Sequence, residues 1–107
     1  MSTFELFTMI FFVLDAYWDD HKNADLGNFL SGMNPFMFKG EGSAAPYIYT
    51  EFCEFLDGRT ISIDDSYQLA QEYIRDLKMP FVEEAFAWID ERKWETSYSD
   101  YLLDRKS

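Results

Sequence analysis

The stretch that decides the fold is FELFTMIFFVLDAYW, residues Phe4–Trp18. Its large apolar residues recur at spacings of three and four, which is the period of an α-helix. One stripe consists of Phe4, Phe7, Phe11, Leu14 and Trp18, and it is widened by Leu6, Ile10, Val13 and Tyr17. A helix that is apolar around most of its circumference usually lies at the centre of a bundle. We therefore predict a central helix that ends near Asp20.

The same stretch does not have the features of a membrane or secretion signal. The apolar run Leu6–Leu14 covers nine residues between Glu5 and Asp15 and contains Thr8, whereas a transmembrane helix needs about twenty. The basic start and small-residue cleavage site of a signal peptide are missing. The single cysteine, Cys53, excludes an internal disulfide and suits a reducing compartment. We expect a cytoplasmic protein without a membrane partner.

Helix start and stop signals divide the next part of the chain. Asn23 is a suitable N-cap for a second helix. Asn34-Pro35 ends that helix, because the residue before a proline avoids helical backbone angles. Pro46 suits the first position of a third helix, which extends to Leu56 and is terminated by Gly58.

The remaining sequence predicts two or three further helices. Arg59–Ile63 favours an extended connector, and Ser62–Asp65 resembles a capping box with a shorter acid at the start of a fourth helix. Pro80 ends that helix and begins the next one. A slip in the apolar periodicity near Arg92 indicates a separate last helix.

The size and composition of the chain are those of one folded domain. The chain has 107 residues, of which 20% are aromatic, and such a composition excludes disorder. We predict an all-α fold in a single helical domain, residues 1–107. It is expected to be a compact bundle of five or six helices with one long loop, about 34–46.

The long loop contains an unusual apolar cluster. Phe36, Met37 and Phe38 are followed by a Gly-Glu-Gly tip that carries Glu41. The loop could fold over the bundle and pack these three side chains into the core. Because side chains alternate along an extended segment, at least one of them would then stay exposed. An exposed apolar side chain beside a flexible tip would suit docking to another protein.

The charge of the chain indicates its possible partners. It has 20 acidic and 9 basic residues, a net charge of −11. Such a charge repels nucleic acid and anionic membranes and speeds association with a basic protein, although solubility is an alternative explanation. The acidic residues that we consider candidate contacts are Asp19, Asp20, Asp25, Glu41, Glu51 and Glu54.

Catalytic and metal-binding patterns are weak in this sequence. The nearest one contains Asp19, Asp20, His21 and Asp25, but one histidine with one carboxylate at helical spacing is an incomplete metal site. A solvated helix end at which His21 compensates the helix dipole explains it better. Cys53 has no histidine or other base nearby, so we interpret it as a buried, inert thiol. We expect no catalytic residue, metal or cofactor. An enzyme, metal-assisted or not, that is built on Asp19, Asp20, His21 and Asp25 is the least favoured hypothesis.

Two segments resemble one class of small bacterial immunity proteins, which are encoded beside polymorphic toxins such as contact-dependent growth inhibition effectors. The segments are DLGNFLSGMNPFMF (25–38) and GSAAPYIYTEFCEFL (42–56). In that class an acidic helix ends in a Leu-x-x-Met/Leu-Asn-Pro-Phe/Tyr turn, and a Gly-Ser-Ala-x-Pro segment opens the next helix. The matching residues are Asp25, Leu26, Leu30, Met33, Asn34, Pro35, Phe36, Gly42, Ser43, Ala44 and Pro46, with a looser match over 64–74 and 94–101.

The resemblance implies an inhibitor that binds one cognate toxin domain in the cytosol and blocks its active site or the exit from it. Because such surfaces diversify with the toxin, no contact residues carry over. Our first hypothesis is an immunity protein that neutralises a toxin, with a nuclease as the expected target, through the candidate acids and Phe36, Met37 and Phe38. The alternative is a non-enzymatic adaptor or self-associating helical module. The sequence leaves the oligomeric state open.

Overall fold

Six α-helices form the part of the chain that the computed structural model describes. The description covers the backbone of residues 1–37 and 40–106 and the side chains of residues 1–36 and 40–100. The model is 76% helical, with no strand in the described residues. The helices are α1 (Thr3–His21), α2 (Ala24–Met33), α3 (Pro46–Leu56), α4 (Ile63–Leu77), α5 (Pro80–Phe86) and α6 (Glu91–Lys106). The predicted all-α bundle of five or six helices is confirmed.

The helix α1 is the centre of the bundle, as its apolar circumference predicts. It contacts all five other helices. Its fully buried apolar side chains are Leu6, Phe7, Met9, Ile10 and Leu14. A capping box that the sequence analysis did not identify begins the helix, because Ser2 Oγ accepts from Glu5 N and Glu5 Oε1 accepts from Ser2 N. Among the described residues, none of the helices combines the length and the hydrophobicity that a membrane-spanning segment requires.

The predicted helix boundaries are close to those observed. Asn23 Oδ1 accepts a hydrogen bond of 3.0 Å from Leu26 N and so caps α2. Ser62 Oγ caps α4 by accepting from Asp65 N at 3.2 Å. The second half of that predicted capping box is not formed, because the Asp65 carboxylate accepts from the Ser62 hydroxyl instead of its backbone N–H. Gly58, with a φ of 75°, follows the end of α3 in the left-handed region that glycine favours.

The connection between α2 and α3 is held against the end of α2. Its first residues form a 3-10 turn, Pro35–Met37. Ala44 N donates to Asn34 O at 2.9 Å, and Ala45 N donates to Gly32 O at 2.8 Å. These bonds return the chain to the point where α2 ended, so α3 begins beside it. Phe38 and Lys39 lie outside the described residues.

Ser43 supplies the cap that α3 lacks at its own N-cap position. Ala45 occupies that position and makes no side-chain hydrogen bond. The fully buried Ser43 hydroxyl donates to Ala45 O at 2.6 Å and accepts from Tyr49 N at 3.2 Å. The Gly-Ser-Ala-x-Pro segment therefore has a structural role in starting α3.

A buried polar contact joins α6 to α4. The Trp94 indole N–H donates to Ser66 Oγ at 2.8 Å, and that hydroxyl donates to Ile63 O at 2.7 Å. Both side chains are almost fully buried. The contact fixes the start of α6, and α6 in turn forms one side of the groove discussed below.

Candidate interaction surface on α1

One side of α1 is exposed to solvent along two turns. Its residues are Phe12, Asp15, Ala16, Asp19 and Asp20, which we call the outer face of α1. The last four follow Phe12 by three, four, seven and eight residues, which places all five on the same side of the helix. At a rise of about 1.5 Å per residue, roughly 10 Å separates Phe12 from Asp19 along the axis. The outer face thus has an aromatic end and an acidic end.

Phe36 lies at the aromatic end of this face. The centroid of its ring is 5.6 Å from that of Phe12 and 6.3 Å from that of Phe11, yet the residue is 65% exposed. Its backbone N–H donates to Asn34 Oδ1 at 2.9 Å. The preceding turn therefore fixes its backbone, and its ring presents a large apolar surface to solvent.

The exposure of Phe36 corrects two expectations for the loop. The segment Pro35–Met37 is a 3-10 turn, so the alternation argued for an extended segment does not apply there. The expectation that the loop packs its aromatic side chains into the core is wrong for Phe36. The side chains of Met37 and Phe38 lie outside the described residues, and the predictions made for them stay predictions.

The acidic end of the face carries Asp19 and Asp20, both of which are exposed. Lys22 compensates part of this charge, because its Nζ is 3.3 Å from Asp19 Oδ1. Nζ also lies 4.0 Å from the centroid of the Trp18 ring. Since this ion pair is exposed, it contributes little to stability, and it leaves most of the local negative charge in place.

Asp25 lies in the first turn of α2, close to this acidic end. The Trp18 indole packs directly on α2 at Gly27, where an added Cβ would lie 2.7 Å from Nε1. This close approach holds the first turn of α2 beside the last turn of α1. Three of the predicted contact acids, Asp19, Asp20 and Asp25, are therefore brought to one end of the molecule.

Glu51 and Glu54 do not belong to this surface. They are exposed on α3, which packs on α4 through Phe52 and Tyr73, whose ring centroids are 4.7 Å apart. Burial, followed by the charges of Glu51 and Asp76, raises the pKa of Tyr73. Glu51 therefore lies beside α4, and this pair of acids forms a second patch.

Glu41 is exposed in the loop and is nearer to α3 than to the acidic end of α1. Burial raises the pKa of Tyr49, with contributions from Cys53 and, as the smallest, from the charge of Glu41. Tyr49 packs edge-on against Phe7, with ring centroids 5.0 Å apart. Glu41 therefore lies near Tyr49 of α3, on the side of α1 that carries Phe7.

His21 and Cys53 take the environments of structural residues. His21 Nδ1 lies 3.0 Å from Tyr17 O, and its ring stacks on the Tyr17 ring with centroids 3.9 Å apart. The described residues contain no group of three or more His, Cys, Asp and Glu side chains that could hold a metal. Cys53 is partly buried, where full burial was expected.

Two exposed aromatic residues near α1 were missed by the sequence analysis, as was Tyr47 at the start of α3. Phe12 is 37% and Trp88 is 42% exposed. Phe12 lies outside the apolar stripe of α1, whose residues recur at spacings of three and four. Its position outside the stripe could have indicated that it faces away from the core. Trp88 follows α5, which has only seven residues. The apolar periodicity of so short a helix does not predict whether a residue after it is buried or exposed.

Comparisons with protein-family models, with curated proteins and with solved structures find no match to this chain.

Proposed function

We propose that this protein binds one protein partner through the outer face of α1 and Phe36, and that it acts in the cytoplasm as an immunity protein for a toxin domain. The observation that carries the proposal is Phe36, which is 65% exposed on a turn fixed by hydrogen bonds. Aromatic side chains that fill a pocket in a partner supply much of the binding energy of protein interfaces. Phe36 and Phe12 together offer such an anchor.

The charge next to this anchor indicates a basic partner. Asp15, Asp19 and Asp20 continue the same side of α1, and the chain has a net charge of −11. An acidic surface of this kind steers a basic protein toward it and accelerates association. A nuclease carries basic surface for its phosphate substrate, which supports a nuclease domain as the toxin. The resemblance of residues 25–38 and 42–56 to immunity proteins supports the same proposal.

Capture from the native cells tests the proposal first. The tagged protein is recovered from a lysate, washed at low and then high salt, and the bound proteins are identified by mass spectrometry. We expect one toxin domain in near-equal amount that high salt releases, because the Debye length falls from about 10 Å at 0.1 M to about 3 Å at 1 M. Adding the protein to the purified toxin domain should abolish its activity. A retained partner that keeps full activity would refute the immunity role.

The two acidic patches provide a matched pair of variants. Asp19→Lys/Asp20→Lys reverses two charges on the outer face, and Glu51→Lys/Glu54→Lys makes the same charge change on α3. We expect the first variant to associate with the captured partner at least tenfold more slowly than wild type. The second variant should slow association by a smaller factor, because it changes only the net charge and not the interface. Equal rates for both variants would mean that the outer face of α1 is not the interface.

The alternative function, an adaptor or self-associating module, gives different results in the same experiments. Housekeeping proteins captured in a fixed ratio would indicate an adaptor. A homo-oligomer detected by light scattering that high salt does not dissociate would indicate self-association through apolar surface. Neither result is expected from the proposed salt-sensitive binding of one partner.

A further inference from the structure

A groove that combines apolar and basic residues, in contrast to the acidic end of α1, lies between α1 and the start of α6. Its volume is about 380 Å³. Val13, Ala16 and Ile89 provide apolar floor residues, and Trp88 contributes a large aromatic surface. Arg92 and Lys93 line it from the first turn of α6. We call this the α1–α6 groove.

The cations of the groove are unusual in so acidic a chain. Residues 92–107 hold four basic and three acidic residues, whereas residues 1–91 hold five basic and seventeen acidic residues. Arg92 and Lys93 are exposed, and neither forms an ion pair in the described part of the chain. Lys93 Nζ lies 5.7 Å from the centroid of the Trp88 ring. The groove thus places positive charge directly beside apolar surface.

The acids that precede these cations face another way. The Asp90 carboxylate accepts from Lys93 N at 2.9 Å and so caps α6. Burial, followed by the charges of Asp90 and Glu91, raises the pKa of Tyr67 on α4. Glu91 also lines a hollow with Asp64 and Tyr67 of α4, and neither Asp90 nor Glu91 is among the residues that line the groove.

The shape of the groove favours an extended occupant over a small molecule. Pockets for small ligands enclose most of the ligand surface, whereas Trp88 and Phe12 are 42% and 37% exposed and leave one side of the groove open. A helix that lies along the space between two other helices buries its apolar side in such a groove. Arg92 and Lys93 would then meet carboxylates at the edge of its apolar side.

We propose that the α1–α6 groove binds an amphipathic helix of a partner protein whose apolar side chains are flanked by carboxylates. The groove shares Phe12 and Ala16 with the outer face of α1 but not the acidic end of that face, which suits a basic surface, and the proposal does not depend on the immunity role. Asp20 lies one turn beyond Ala16 on α1, and Asp100 lies one turn beyond Thr96 on α6. Because acids lie near both ends of the groove, the carboxylates of the occupant belong at its centre.

The test uses three synthetic amphipathic peptides of about 14 residues, or about four helical turns. All three have the same leucine face. Beside it, the first peptide carries glutamates at its centre, the second carries glutamates at its ends, and the third carries lysines at its centre. Binding of each labelled peptide is measured by fluorescence anisotropy at low salt. We expect the peptide with central glutamates to bind most tightly. Equal binding of the lysine peptide, or no binding of any peptide, would overturn the proposal.

Protein variants locate the binding site. Arg92→Glu/Lys93→Glu should weaken binding of the first peptide by about tenfold or more, and Ala16→Gln should weaken it by obstructing the floor. Arg75→Glu/Lys78→Glu makes the same charge change on two exposed residues, one in the last turn of α4 and one at its C-cap, and is the matched control. Equal losses in the control and in the groove variant would overturn the assignment. So would a dimer in sedimentation that Ala16→Gln abolishes, because a second copy would then occupy the groove.

Discussion

Two aromatic clusters on different sides of α1 lie in opposite environments. The inner cluster comprises Phe7, Tyr49, Phe52 and Tyr73, with neighbouring ring centroids 4.7 to 5.2 Å apart. The outer cluster comprises Phe12, Phe36 and Trp88, which are 37%, 65% and 42% exposed. Phe7 and Phe52 are fully buried. The inner cluster stabilises the fold, and the outer cluster is available for binding.

The difference between the clusters comes from the helices that cover them. Tyr49 and Phe52 of α3 and Tyr73 of α4 close over Phe7, so each inner ring packs on others. The outer cluster lies where the chain leaves regular helices, at the turn that carries Phe36 and at Trp88 after α5. Composition alone does not distinguish a core aromatic from a binding aromatic, because α1 contributes one phenylalanine to each cluster, Phe7 to the inner one and Phe12 to the outer one.

The largest expected effect is on the inner cluster. Phe52→Ala should lower the free energy of unfolding by about 3–5 kcal/mol, because it leaves a cavity among closely packed rings. Phe36→Ala, the matched change in the outer cluster, should lower it by less than about 1 kcal/mol. Urea unfolding followed by circular dichroism measures both. Similar losses for the two variants would remove the distinction between the clusters.

A smaller effect is expected where a buried aromatic depends on a polar partner. Ser66→Ala removes the hydroxyl that accepts from the Trp94 indole at 2.8 Å. The buried N–H is then unsatisfied, which costs about 1–3 kcal/mol of unfolding free energy. Ser99→Ala, at an exposed position on α6, is the control and should change little. Stability equal to wild type in Ser66→Ala would show that packing alone holds Trp94.

A stabilising change is expected next to the inner cluster. Thr8 on α1 is 1% exposed, and its hydroxyl has no hydrogen-bond partner among the described residues. Thr8→Val keeps the shape and removes the unsatisfied group, so we expect the free energy of unfolding to rise by about 1 kcal/mol. Exposed Thr96→Val serves as the control in the same urea experiment. A loss of stability in Thr8→Val would indicate that the hydroxyl has a partner.

The smallest effect is an alkaline dependence carried by the inner cluster. Burial raises the pKa of Tyr73 from its ordinary value of 10.0, so the tyrosine of the unfolded chain ionises first as the pH rises. The unfolded state then binds fewer protons, and stability falls above pH 10 until the folded pKa is reached. Tyr73→Phe should make this decline shallower by at most about 1.4 kcal/mol per pH unit. An unchanged slope between pH 9 and 11, measured by urea unfolding, would contradict the assignment.

Local signals in the sequence were sufficient for the helices. Asn23, Pro46, Ser62 and Pro80 stop or start helices through their own backbone chemistry, and these boundaries were predicted closely. The periodicity of α1 also predicted its central position. These features depend on neighbours within one or two helical turns, which a sequence displays directly.

The surface could not be predicted in the same way, because it depends on contacts between distant residues. The exposure of Phe36 follows from the 3-10 turn and from the hydrogen bonds that return residues 44 and 45 to α2. The α1–α6 groove requires Ala16 and Arg92 to be neighbours. Of the predicted contact acids, Asp19, Asp20 and Asp25 share one end of the molecule, and packing of α3 on α4 separates Glu51 from them.

The most direct test of the central claim is retention of the captured partner by Phe36→Ser. Wild type and variant are compared on the same native lysate, after urea unfolding has shown that their stabilities agree. The account predicts that the partner is retained by wild type and lost from Phe36→Ser, while Tyr47→Ser, at an equally exposed aromatic on α3, retains it. Full retention by Phe36→Ser would contradict the claim that Phe36 and the outer face of α1 are the binding surface.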